Sequence, residues 1–413
     1  MTNRMKKNDL WFCAVIITAI LLTLSCSTET TNSVITYPDV PGTPEEPMPF
    51  NDITATELVA NIKVGWNLGN TLDAIGNTAI GFSWLGGGFY SATSVSQMET
   101  AWGNPITTKE NITTIKNAGF NTIRIPVSWS KAVDSEFNIR MDWMTRVVEV
   151  VNYAVENDLY IILNTHHDEE IFKFTNSEVE KSLEAFRKIW GQIAWAFKNY
   201  DEKLVFEALN EPRTKGSPHE WSGGNHEEHN NINRYYKVFI EVVRASGGNN
   251  NKRILMLNTH AASAAQVAMN GLVIPEDTVP NKIIASIHAY TPYNFALNTN
   301  HAFNTWDIDN PSDTNPIIDI FERAYNTFIV GKNVPVVMGE FGAMNKDNES
   351  IRAQWVEFYV RTAMERGIPC IWWDNGGFTG DGELFGLLNR RNNTIAFPEV
   401  LDGIMQGASV WGN

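Results

Sequence analysis

Cysteine is scarce in this chain. Its 413 residues contain three, Cys13, Cys26 and Cys370, so no disulfide framework is expected. Cys370 lies in an apolar run and reads as an inert core thiol. Basic charge is also in deficit: 32 Lys and Arg against 47 Asp and Glu leave a net −15. A field of that sign repels phosphate backbones and excludes nucleic acid as a partner, while neutral polysaccharide does not feel it. Long apolar runs are missing except for Leu10–Leu24, so no other stretch can span a bilayer. A phosphate-binding loop is missing too. Gly86-Gly87-Gly88 is not followed by a helical pattern, which argues against a doubly wound nucleotide-binding sheet. No internal repeat has a fixed period.

The apolar run at the N-terminus follows Arg4, Lys6 and Lys7, the order of an export signal. Thr23-Leu24-Ser25-Cys26 then looks like a lipoprotein cleavage site, with lipid on Cys26, although the usual box places a leucine three positions before the cysteine and Thr23 stands there. Plain secretion or an uncleaved anchor helix remain the alternatives. The domains expected are therefore a signal peptide over 1–25, a linker over 26–49 and a catalytic domain over 50–413. Losing 1–25 removes a net +2 (Arg4, Lys6 and Lys7 against Asp9) and leaves about −17. The linker carries Pro38, Pro41, Pro44, Pro47 and Pro49, the composition of a semi-rigid tether. The protein is expected to be exported, anchored to the membrane of the cell envelope or surface through lipid on Cys26, and monomeric.

From about residue 57, short β-like runs alternate with amphipathic ones. The runs predict strands at Val64–Leu68, Thr122–Val127, Tyr160–Asn164, Leu204–Ala208, Arg253–Leu257, Ile283–Ile287, Val334–Met338 and Pro369–Trp373. Helices are predicted near 108–118, 142–157, 180–199, 230–246, 261–269, 315–329 and 350–366. Eight such units predict an α/β fold, a (β/α)₈ TIM barrel in one catalytic domain. Active sites of such barrels sit at the C-terminal ends of the strands. The polar residues just past each apolar run are Asn67 and Asn70, Arg124 and Trp129, His166 and His167, Asn210 and Glu211, Asn258 and His260, His288 and Tyr290, Glu340, and Trp373 with Asp374 and Asn375.

Two of these carry the chemistry. Val205–Pro212 ends in Asn210-Glu211-Pro212, and the proline stops further pairing and leaves Glu211 at the strand tip. Val336–Gly342 displays Glu340 between Gly339 and Gly342. Two carboxyls on opposed strands suit glycoside cleavage, in which one protonates the leaving oxygen and the other attacks the anomeric carbon. Their mutual repulsion is expected to raise the pKa of one, while Arg124 and a Tyr donor keep the other ionised. Such chemistry needs no cofactor and no metal. Adjacent His166 and His167 would point to opposite sides and chelate poorly. The loop histidines His219, His226 and His229, among Glu220, Glu227 and Glu228, read as a solvated loop before an ion site. Fourteen tryptophans are many, and their faces suit sugar rings, although most belong in a core. The loops 71–107 (Phe82, Trp84, Phe89, Tyr90, Trp102) and 289–313 (Tyr293, Phe295, Phe303, Trp306) are expected to wall an open cleft. Satellite cores beneath them are the alternative.

The chain resembles glycoside hydrolase family 5, most of all its subfamily 4, over about residues 57–405. The resemblance rests on Gly65-Trp66-Asn67-Leu68-Gly69-Asn70-Thr71-Leu72-Asp73, Thr100–Pro105, Ile123-Arg124-Ile125-Pro126-Val127, Leu163-Asn164-Thr165-His166-His167, Asn210-Glu211-Pro212, Ile287-His288-Ala289-Tyr290, Gly339-Glu340-Phe341-Gly342 and Ile371–Gly376. It implies a retaining endo-β-1,4-glucanase acting on β-glucans such as xyloglucan, mixed-linkage glucan and cellulose derivatives. It implies Glu211 as acid/base and Glu340 as nucleophile, with Asn210 donating to the sugar 2-OH. Arg124 and Tyr290 would bond the nucleophile, His288 would stand by the acid/base, and Trp373 would floor the −1 sugar, which His166 would bind. Asn67 and His167 are further expected substrate contacts. A mannanase or xylanase on the same barrel, and a glycan-binding lipoprotein without catalysis, are the alternatives.

Overall fold

A computed structural model describes residues 36–76 and 94–410. The export signal, Cys26 and the first part of the linker lie outside the described residues, as do Phe82, Trp84, Phe89 and Tyr90. Eight parallel strands close a barrel in chain order, with β1 paired to both β2 and β8. They are β1 (Val64–Leu68), β2 (Thr122–Ile125), β3 (Tyr160–Asn164), β4 (Leu204–Glu207), β5 (Leu255–Ser263), β6 (Ile283–His288), β7 (Val336–Phe341) and β8 (Cys370–Asp374). Burial on both faces explains why these runs are nearly unbroken in apolar residues.

The helices are α1 (Ala55–Asn61), α2 (Val95–Glu99), α3 (Lys109–Asn117), α4 (Met141–Glu156), α5 (Val179–Ala196), α6 (His226–Ala245), α7 (Gln266–Gly271), α8 (Tyr293–Ala296), α9 (Pro311–Ala324), α10 (Glu349–Met364) and α11 (Pro398–Ala408). Several start at capping boxes: Thr108 for α3, and Asn225 with Glu228 for α6, each of which satisfies orphan N–H groups. The outer faces of the strands and the inner faces of the helices share one large core. A second core lies inside the barrel at the N-terminal ends of the strands. There α1 brings Ala55, Leu58 and Val59 against Ile162, Val205, Met256, Ile284, Val337 and Ile371, closing that mouth and leaving the opposite one for a site.

Several local expectations change, among them the limits of β2 and β7. Residues 36–49 are not a free tether. Val40 is buried in the core, Asn152, Asn199 and Asn249 donate to the carbonyls of Gly42, Pro44 and Met48 at 2.8, 2.8 and 2.9 Å, and Met48 N–H donates to Asn199 O at 2.8 Å. Prolines that cannot donate leave carbonyls free, and these side-chain amides use them. The fifth strand begins later and ends later than expected. It runs through Ala261 and Ala262 in left-handed conformation (φ 50° and 47°), and α7 begins only at Gln266. Arg253 precedes this strand and is wholly buried, donating to the carbonyls of Phe197, Tyr200, Asp201 and Leu204.

Candidate active site

The side-chain period of two in a strand sends every second residue into the barrel. Just above the apolar plug this places Asn67, Arg124, Asn164, Glu207 and Asn258, all fully buried. Arg124 is the hub. Its Nε donates to Glu207 Oε2 at 2.7 Å, Nη1 to Glu340 Oε1 at 2.7 Å and to Asn67 Oδ1 at 3.0 Å, and Nη2 to Asn210 Oδ1 at 2.7 Å. Glu207 also accepts from Asn164 at 3.0 Å and Asn258 at 3.1 Å. Burial disfavours the Arg124 charge, but Glu207 and Glu340 outweigh it and hold its pKa above the ordinary value.

Glu340, at the C-terminal end of β7, has both oxygens occupied by donors: Arg124 on Oε1 and the Tyr290 hydroxyl on Oε2 at 3.0 Å. Burial, then the charges of Glu340 and Glu211, push the Tyr290 phenol well up, so it stays a donor. Past the end of β4, Glu211 accepts from or shares a proton with His288, Nδ1 to Oε1 3.1 Å. The same Nδ1 is 3.7 Å from Glu340 Oε2, and a carboxyl oxygen of Glu211 lies within 4.8 Å of one of Glu340. Gly339 makes this possible, because a Cβ there would sit 2.9 Å from His288 Nε2 and 2.7 Å from Ser286 Oγ. A carboxyl pair this close suits a retaining displacement; an inverting one needs roughly 6.5–9.5 Å to admit water.

The pKa of Glu211 departs from the expectation that repulsion would raise it. Burial pushes it up, but the His288 hydrogen bond and the charges of His288, Arg213 and His167 hold it below the usual carboxylate range. The missing element was Arg213, two residues past Glu211. Its Nη1 donates to the Glu211 carbonyl at 2.8 Å and lies 3.4 Å from Glu211 Oε2.

Trp373 and His166 lie parallel with ring centroids 5.8 Å apart. Gly69 makes room for Trp373, since a Cβ there would meet the indole at 2.8 Å. Burial, then His167 and Arg124, keep His166 neutral well below its ordinary pKa. His166 and His167 do not point apart: their rings are 4.4 Å from centre to centre, because the chain has left β3 and the strand alternation no longer applies. With Asp73 they bring three potential ligand atoms within 4.8 Å. The donor set nevertheless does not suit a cation. Asn164 Oδ1 accepts from Val127 N–H, so its amide nitrogen faces His166 Nδ1 at 3.2 Å. That puts the His166 proton on Nε2, the atom a metal would need. Asp73 in turn accepts the N–H groups of Asn70 and Thr71. His226 and His229 stand in the first turn of α6 and not on a loop; His226 faces Asn230 and His229 faces the Gly223 carbonyl, so the two do not converge.

Asn67 is not a substrate contact. It is fully buried, its amide donates to the carbonyls of Gly339, Ile371 and Trp372, and its oxygen accepts from Arg124. Asp374 and Trp129 are also buried: Asp374 accepts from Trp66 Nε1 and the N–H groups of Leu387 and Leu388, and Trp129 donates to Asn164 O. The 289–313 loop divides. Tyr293 and Phe303 are exposed, but Phe295 and Trp306 are buried, packed on Trp355 and Phe358, so these two form a satellite core and not a cleft wall. Trp102 stays half-exposed at the rim, 5.5 Å from His167. Trp221, on a loop with no apolar periodicity to mark it, is 65% exposed and covers Arg213 at 4.4 Å. Glu207 could have been found from sequence, since one carboxylate inside an apolar strand needs a buried cation.

Comparison with known proteins fits this geometry. Residues 87–379 match the family model "Cellulase (glycosyl hydrolase family 5)". Endoglucanase A of Clostridium longisporum is 44% identical over 357 residues, 86% of this chain and 66% of that protein. Cellulase/esterase CelE of Acetivibrio thermocellus is 42% identical over 366 residues, 87% of this chain and 41% of that protein. The chain thus spans less than two thirds of the length of either relative. A solved GH5-4 broad specificity endoglucanase from Ruminococcus champanellensis with bound cellotriose superposes with a TM-score of 0.80 at 45% identity, covering 87% of this chain and 100% of that one.

Proposed function

We propose that this chain, which belongs to glycosyl hydrolase family 5, hydrolyses internal β-1,4 bonds of β-glucans by a retaining double displacement. The observation that carries the reading is the pair Glu211 and Glu340, with carboxyl oxygens within 4.8 Å of one another at the open mouth of the barrel. Glu340 is the nucleophile. Arg124 and Tyr290 aim its two oxygens and stabilise the charge it must keep. Glu211 is the acid/base, and its side chain is 18% exposed where Glu340 is 6%. A sugar seated on Trp373 strips water from Glu211, which disfavours its charge and drives a proton onto it for the first step. After the aglycone leaves, the carboxylate, steadied by His288 and Arg213, takes a proton from water. Asn210 spends its oxygen on Arg124, so its amide hydrogens are left for the 2-OH, and His166 Nε2–H supplies a second donor.

Mannan and xylan are disfavoured by the relatives' names, and a purely glycan-binding role by the intact carboxyl machinery. Xyloglucan, mixed-linkage glucan and cellulose derivatives are the proposed substrates. Purified protein should lower xyloglucan viscosity faster than reducing ends appear. A tenfold preference for mannan would overturn the substrate, and no cleavage of any glucan would overturn the enzyme. The reading also includes export and lipid attachment at Cys26, supported by Arg4, Lys6 and Lys7 ahead of the apolar run. Wild type should take up a palmitate analogue and Cys26→Ala should not; an unlabelled wild type refutes the anchor.

A further inference from the structure

We propose that Arg213, balanced by Glu169 and Glu220, is a positioning residue that sets the pH at which Glu211 exchanges its proton. The proposal rests on Glu211 being the acid/base.

Each oxygen of Glu211 faces one nitrogen group. His288 of β6 takes Oε1 at 3.1 Å, and Arg213 stands 3.4 Å from Oε2 while holding the Glu211 carbonyl at 2.8 Å. Unopposed, the Arg213 cation would keep Glu211 ionised and deny it the proton that the first step needs. Arg213 is opposed. Its Nε donates to Glu220 Oε1 at 3.2 Å, and its Nη1 lies 3.7 Å from Glu169 Oε1. Glu220 is itself fixed by Gly216 N–H at 2.7 Å, and Glu169 is shared with Lys215 at 3.2 Å and His167 at 3.7 Å. The Trp221 ring covers the guanidinium face at 4.4 Å, which keeps water off and strengthens these charges. Arg213 is 8% exposed, so the network is a built feature and not a surface ion pair.

The other groups that face Glu211 come from four strand ends: His167 after β3, Tyr290 after β6, Glu340 of β7 and Glu383 after β8. Arg213 also acts on His166 and on His260, which pairs with Glu228. Arg213→Met removes a positive charge and Glu220→Gln a negative one, so the two variants test opposite signs of charge on Glu211.

Removing the cation makes the Glu211 carboxylate less favourable and raises its pKa. Removing the counter-anion frees the Arg213 charge and lowers it. The basic limb of kcat/KM on xyloglucan should therefore move up by roughly half to one pH unit in Arg213→Met and down by a similar amount in Glu220→Gln. Arg213→Lys should restore most of the wild-type limb. A purely structural role would lower activity in both variants without opposite shifts. If Arg213→Met does not fold, as judged by melting, Glu220→Gln and Arg213→Lys still decide the matter. Limbs unmoved, or moved in the same direction, overturn the proposal. If the basic limb persists in the residual rate of Glu211→Ala, the Glu211 assignment itself fails, which is a distinct outcome.

Discussion

Arg124→Met removes a cation inside the barrel that serves two carboxylates at once. Arg124 is fully buried and makes four hydrogen bonds, two of them to charged groups, Glu207 and Glu340, at 2.7 Å each. Taking one partner from a buried ion pair leaves the other charge uncompensated, a loss of about 3–5 kcal/mol. With an unfolding entropy of about 2.1 cal/mol/K per residue, that lowers Tm by roughly 5 °C in a chain of this size. The orphaned carboxylates reduce their cost by taking up protons. Glu340 then loses nucleophilicity at neutral pH, and the residual rate should rise toward alkaline pH as it ionises. Adding Glu207→Gln removes one of the two orphans. The double variant should recover part of the lost stability in urea denaturation and none of the lost activity, because Glu340 still lacks its guanidinium. Arg124→Lys should recover little, since an ammonium cannot reach four acceptors in a plane. A single variant within 1 kcal/mol of wild type would refute the reasoning, and so would activity restored by Glu207→Gln.

Activity should survive incubation with excess EDTA followed by dialysis, because His166 offers a proton where a metal would need a lone pair; loss of more than half the rate, restored by a divalent ion, would refute this. Glu169 is held at a pKa of about 2: burial pushes it up, but His167, Lys215 and Arg213 outweigh that. A carboxyl depressed on folding stabilises above its unfolded pKa and loses that contribution as pH falls through the folded one. Glu169→Gln should therefore cost roughly 3 kcal/mol at neutral pH, and denaturant titrations should show the gap to wild type closing between about pH 4.5 and 2. A gap independent of pH would contradict the assignment.

The barrel and the carboxyl pair were legible because their signals are local. Each strand is a short apolar run, and in β3 and β1 the expected and observed limits coincide. Both glutamates mark the ends of such runs. What was illegible depends on distance in the chain. Arg213 touches Glu211 two positions away, but its counter-charge Glu169 is 44 positions away, and nothing in either neighbourhood announces that pair. Trp306 reads as a rim aromatic but lies on Phe358 of α10, so burial decides its role. Asn67 has the right address on β1, yet the two-residue period turns it inward to Arg124 and not up to the sugar. The free carbonyls of the proline-rich 36–49 stretch look like those of a linker until three asparagines from elsewhere in the barrel reach them.

The roles of Glu211 and Glu340 are separated most directly by azide rescue on an activated aryl β-cellobioside. Glu211→Ala should still form the glycosyl-enzyme and release the aryl group in a burst, because an acidic leaving group needs little of the ~10²–10⁴-fold help an acid provides. It should then stall, and azide should trap the intermediate as the β-glycosyl azide. Glu340→Ala should show no burst, and azide entering from the vacated side should give the α product. An α-azide from Glu211→Ala, or a burst from Glu340→Ala, would contradict the account.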